Sequence, residues 1–145
     1  MYFDDLPVGF TFETGTRTLS RDEIMDFARQ WDNQPFHTDP EAAAQTHFGG
    51  IVASGFHTLL IAFNLVLESG IWRDSSMGSP GMAEVRWIKP VRPGDTLRVR
   101  GEIIASRPSQ SRPDRGRTEV DHKIFNQDDE LVASFRSVGI LKRKP

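Results

Sequence analysis

The stretch Trp31-Asp32-Asn33-Gln34-Pro35-Phe36-His37, followed by Gly49-Gly50-Ile51-Val52-Ala53-Ser54-Gly55 and an apolar run to Leu67, decides how this chain reads. It sets a carboxylate and an imidazole five positions apart. On a helix, five residues turn the chain through about 500°, which sends the two side chains to different sides. Pro35 breaks helical geometry and pushes Gln34 toward an extended conformation. Asp32 and His37 therefore face one site only if the chain between them loops. A rigid loop carrying Asp and His can hold one water between two proton-transfer groups.

On the N-terminal side, Phe10 to Leu19 alternates Phe10 and Phe12 with Thr11 and Glu13, a strand with one buried side and a bend expected at Gly15. Ser20-Arg21-Asp22-Glu23 has the spacing of a capping box. Ile24, Phe27, Ala28 and Trp31 then form the apolar face of an amphipathic helix that ends at Asp32. After the loop, Asp39-Pro40 starts a short second helix, with Asp39 as cap and Pro40 at its first position. Phe56 to Leu67 is apolar nearly all round, so it is expected to be buried on most sides, as the centre of the fold.

From Gly81 on, the pattern is strand. Ala83, Val85 and Trp87 alternate with Glu84 and Arg86; Leu97 to Ala105, Val120 to Ile124, and Leu131 onward alternate likewise. Pro93-Gly94-Asp95 and Gln127 to Glu130 are turns. The Arg-rich segment 107–117 reads as an exposed hairpin connection, with anion contact as its alternative use. One strand, one buried helix and four further strands predict an α+β domain in which an antiparallel sheet wraps a central helix.

The totals bound the function. At 145 residues the chain is one domain's worth, 1–145, able to bury roughly 68–70% of its unfolded surface. Without cysteine there are no disulfides, thiolate metal sites or cysteine nucleophile. A net charge of −2 gives no general attraction for nucleic acid. The acidic N-terminus lacks the order of a signal peptide, and Leu59 to Leu67 falls far short of the ~20 residues that span a bilayer. The expectation is a cytoplasmic protein with no nucleic-acid or membrane partner. His47 and His57 lack metal-ligand spacing, so no metal is expected, and His122 reads as a hydrogen-bonded core residue. Phe27, Phe63, Trp87 and Phe135 are core by default, with the lining of an acyl pocket as the alternative for some of them.

The element order resembles the hotdog fold. Asp32-Asn33-Gln34-Pro35-Phe36-His37, then Thr38-Asp39-Pro40-Glu41-Ala42-Ala43 and Ala53-Ser54-Gly55, resembles the signature of the MaoC-like dehydratases, which include the (R)-specific enoyl-CoA hydratases. Trp87 to Leu97 also resembles that family's strand-turn-strand segment. The resemblance implies a catalytic pair at Asp32 and His37, addition of water to a 2-enoyl thioester to give an (R)-3-hydroxyacyl thioester, and a role in fatty acid metabolism. It implies no cofactor apart from the coenzyme A of the substrate, with acyl carrier protein as the alternative carrier, and a homodimer or higher homo-oligomer. The family places Asn two residues after the Asp; here Gln34 stands there, so Gln34 and the adjacent Asn33 are both candidates for orienting the pair. The Gly55 amide, at the start of the central helix, is a candidate oxyanion donor. Ser54 is its cap, a thioester contact, or both. Two further readings use the same residues: a hotdog thioesterase, with water directed at the carbonyl, and a non-catalytic acyl-thioester-binding protein.

Overall fold

The computed structural model describes residues 1–145. After a 3-10 turn at Phe3–Asp5 come β1 (Thr11–Thr18), α1 (Arg21–Trp31), α2 (Pro35–Thr38), α3 (Pro40–Ala44), α4 (Gly55–Glu68), β2 (Gly81–Trp87), β3 (Thr96–Pro108), β4 (Arg115–Phe125) and β5 (Leu131–Lys142). The strands form one antiparallel sheet in the order β1-β3-β4-β5-β2, so β1 and β2 are its edges. This is the expected α+β hotdog arrangement, with α4 against the sheet beside β1 and β3.

Local signals act as their chemistry requires. The Ser20 hydroxyl accepts from the Glu23 amide at 3.2 Å, and the Ser20 amide donates to the Glu23 carboxylate at 2.8 Å, completing the capping box. Asp39 accepts from the amides of Glu41 and Ala42 at the start of α3. The register of β1 against β3 shifts between Glu13 and Thr16, around the expected bend at Gly15.

Three expectations need correction. The segment between Asp32 and His37 is not all loop: Pro35 opens the single turn α2, where its missing N–H and fixed φ suit a first helical position. Trp31 lies outside the core at 68% exposure, and Met25 is buried instead. The third concerns α4. It buries His57, Thr58, Ile61, Ala62, Leu65 and Val66, but leaves Phe56, Leu60, Phe63 and Leu67 exposed, one stripe along its length. Every residue of β2 is exposed as well, and Met82, Val85 and Trp87 are large and apolar. Phe63 and Trp87 are thus outside the core of the single chain, whereas Phe135 is inside it.

One row of the sheet is packed unusually tightly. Phe12, Gly101, His122 and Phe135 lie on consecutive paired strands. A Cβ at Gly101 would fall 2.2 Å from the Phe12 ring. That ring is fixed by edge-on contacts with Trp72 and His122, and His122 stacks on Phe135 at 4.4 Å. His122 is buried and shares a 2.9 Å hydrogen bond with Ser137, as expected of a core histidine; burial pushes its pKa down to about 4. Overpacking of this kind costs about 1–3 kcal/mol. Gly101→Ala should lower the unfolding free energy by that amount in urea titrations, with little change in the slope.

Candidate active site

Asp32 is where α1 ends. Its amide still donates to Ala28 O at 2.8 Å, closing the helix, while its own backbone has left helical geometry. The Gln34 amide then donates to Asp32 O at 2.8 Å, a three-residue turn with Asn33 at its apex. The turn leaves Asn33 exposed and returns the Gln34 side chain to Asp32, where Nε2 donates to Oδ1 at 2.6 Å. Of the two orienting candidates, Gln34 is the one in contact with the carboxylate.

The other carboxylate oxygen is met from two directions. Ser54, fully buried, donates its hydroxyl to Asp32 Oδ2 at 2.7 Å. It sits at the N-cap of α4 but makes no side-chain cap bond; its hydroxyl is committed to the carboxylate. His37 Nε2 lies 3.3 Å from the same oxygen. At its other nitrogen, His37 Nδ1 is 2.6 Å from Val52 O. A carbonyl oxygen only accepts, so Nδ1 carries a proton and donates. That leaves Nε2 as the nitrogen that can take or give a proton beside Asp32. His37 is buried, and the Val52 amide donates in turn to Phe36 O, which locks the loop to the segment before α4.

Burial pushes the Asp32 carboxyl up, but the hydrogen bonds from Ser54 and Gln34 and the charge and hydrogen bond of His37 outweigh it, so its pKa lies below the ordinary value. Asp32 is held as a carboxylate.

Asp32 and His37 open into a cavity of about 410 Å³, lined chiefly by apolar groups that include Phe48, Val52, Phe56, Trp87 and Val91. Gly55 lines it too. Its N–H belongs to the first turn of α4, where amides lack intrahelical acceptors and the helix dipole favours negative charge. A Cβ at Gly55 would lie 2.3 Å from Trp87 Nε1, so glycine is required here because an indole occupies the space.

The sequence reading missed Val52 and Lys89 as cavity residues. Val52 contributes a backbone carbonyl, which no side-chain pattern reveals. Trp87, core by default in the sequence with an acyl-pocket lining as the alternative, lines the cavity.

The family model described as "MaoC like domain" matches residues 6–123. Over 143 residues the chain is 34% identical to the uncharacterized protein YdeM of Bacillus subtilis, covering 99% of this chain and all of that one. It is 30% identical over 117 residues to a 3-hydroxybutyryl-CoA dehydratase of Methylorubrum extorquens, covering 77% of this chain and 69% of that one. The crystal structure of a MaoC-like dehydratase from Rhodospirillum rubrum superposes with a TM-score of 0.92 at 36% identity, covering 100% of this chain and 99% of that one.

The Ser54 hydroxyl tests the electrostatics directly. A hydrogen bond to a charged group contributes about 1.5–3 kcal/mol. Because the carboxyl is depressed, this contribution is complete above the ordinary carboxylate range and is lost as pH falls through the lowered folded value. Ser54→Ala should raise the Asp32 pKa in an NMR titration. It should also destabilise the protein at pH 7, with the deficit shrinking as the solution is acidified.

Proposed function

The chain belongs to the MaoC-like dehydratase family, and from that premise we propose that it is a hydratase/dehydratase interconverting a 2-enoyl thioester and an (R)-3-hydroxyacyl thioester, the acyl group being carried on coenzyme A. The observation that carries the reading is the Asp32–His37 pair, 3.3 Å apart at the end of an apolar cavity. Asp32, ionised, is assigned the role of proton acceptor. As a water oxygen bonds to the β-carbon, Asp32 removes its proton. The π electrons of the double bond move to the thioester oxygen as an enolate, which the Gly55 amide stabilises. The reaction needs a proton on His37 Nε2, and that proton passes to the α-carbon. Asp32 is then protonated and His37 neutral, and one transfer across the pair restores both. The reaction uses no cofactor beyond the coenzyme A of the substrate. The bond from Gln34 to Asp32 supports a competent pair despite the departure from the family's Asn.

Acid–base groups of this kind contribute about 10²–10⁴-fold to rate. With a short or medium 2-enoyl-CoA, loss of the enoyl chromophore without release of thiol is expected. Asp32→Asn and His37→Ala should each slow it by that factor; both lose hydrogen bonds that also hold the fold, so activity is compared at a temperature where circular dichroism shows each variant folded. Thiol release instead would assign a thioesterase, and neither signal across several chain lengths would leave acyl binding without catalysis.

The same reading includes a homodimer. The α4 stripe and the β2 edge form one apolar face with a groove of about 650 Å³. Glu84 and Arg86 flank Val85 on β2, so a twofold antiparallel pairing centred there sets each charge opposite its complement. Leu60→Glu with Leu67→Glu, both away from the catalytic cavity, should convert the dimer to monomer in light scattering.

A further inference from the structure

Among the residues lining the catalytic cavity, three carry titratable or charged side chains: Asp32, His37 and Lys89. The first two are accounted for by the proposed chemistry. Lys89 is not. It follows β2, and its backbone is fastened to β5: the amides of Ile88 and Lys89 both donate to Val132 O, at 2.8 and 3.1 Å. Pro90 stiffens the chain immediately after it.

The ammonium is also braced. It pairs with Glu130, which lies in the turn before β5 and does not line the cavity. Glu130 is itself held in place. Its other oxygen accepts from Asn126 Nδ2 at 3.2 Å, and Asn126, buried, accepts from the amides of Asp128 and Glu130 at 3.0 and 3.1 Å. Glu130 thus pairs with the ammonium from outside the cavity, while Lys89 itself is one of the residues that line it. An ammonium has three donors, and half of the Lys89 side chain remains exposed.

We propose that Lys89 is a specificity residue that binds an anionic oxygen group of the substrate at the cavity, either a phosphate of the carrier arm or a carboxylate on the acyl chain. The proposal rests on the thioester reading of the site. Asp32 repels an anion at one point of the cavity wall and Lys89 attracts it at another, so a substrate with one anionic end is oriented by both. The thioester then reaches Asp32 and His37 with its charge directed away from the carboxylate.

Binding of saturated thioesters tests this whether or not hydration is the reaction. The probes are butyryl-CoA, with phosphates and a neutral acyl group; the N-acetylcysteamine thioester of glutarate, with a carboxylate and no phosphate; and the neutral butyryl N-acetylcysteamine thioester. Affinities are measured by NMR titration of the intact protein. Lys89→Met, which keeps the aliphatic stem, should weaken an anionic ligand about tenfold and leave the neutral one unchanged, and Lys89→Arg should retain the affinity. Loss confined to butyryl-CoA assigns the phosphate, and loss confined to the glutarate thioester assigns the carboxylate. Equal loss for all three, no loss for any, or no binding of either anionic ligand to the wild type overturns the proposal. Should Lys89→Met fail to fold, Glu130→Gln reads the same charge from the other side. With the competing carboxylate gone, an anionic ligand should bind more tightly and the neutral one equally, and an unchanged anionic affinity overturns it.

Discussion

The 2.7 Å hydrogen bond from Ser54 to Asp32 ties the last residue of one helix to the first of another. At an ordinary N-cap, a serine hydroxyl would accept from an amide of its own helix. Here it donates to a carboxylate twenty-two residues away, and the first turn of α4, part of which lines the cavity, has no side-chain cap. One bond therefore serves three ends. It fixes Asp32, it helps keep that group ionised, and it leaves unspent the donors that the enolate oxygen of the proposed reaction would need. The cost is a helix start that lacks its usual side-chain cap, and the packing of α4 on the sheet compensates for it.

The rest of the site completes this arrangement from the backbone. The turn at Asn33 sends Gln34 back to Asp32, and the Val52 carbonyl fixes the His37 tautomer. Neither Gln34 nor Val52 has to react. Each removes a degree of freedom from a group that does in the proposed reaction, and proton transfer between groups 3.3 Å apart would be sensitive to such freedom. The additional methylene of Gln34 is absorbed because a turn, rather than a helix, sets the distance it must cover.

Much of this was legible in the sequence because the signals were local. The capping box at Ser20, the Asp39-Pro40 helix start and the period-two strands all depend on neighbours within a few residues. The Asp32–His37 pair was legible through the resemblance of its motif to the MaoC-like signature; the spacing alone excluded only a continuous helix between them. What failed depended on distant partners. Periodicity marks a face as apolar without saying what covers it, so Trp31, Phe63 and Trp87 were placed in a core that one chain does not supply. Pro35 was read as a breaker, although the same ring geometry that ends a helix also starts one. Gly55 was read for its amide; what requires a glycine there, the Trp87 indole, comes from a strand more than twenty-five residues further along.

Trp87 also links the site to the exposed face. It lines the catalytic cavity on one side and the apolar groove between α4 and β2 on the other, and Phe56 does the same, with the two rings in edge-on contact at 5.9 Å. Whatever covers that groove therefore stiffens a wall of the cavity. In the proposed dimer, the burial that drives association and the exclusion of bulk water from the reacting groups act on the same two side chains. An edge strand with large apolar residues and only one pair of opposite charges is a hazard for a free chain. It is retained at little cost if the surface it exposes is also the outer wall of the site, because losing the apolar character of Trp87 or Phe56 would open the cavity as well as the interface.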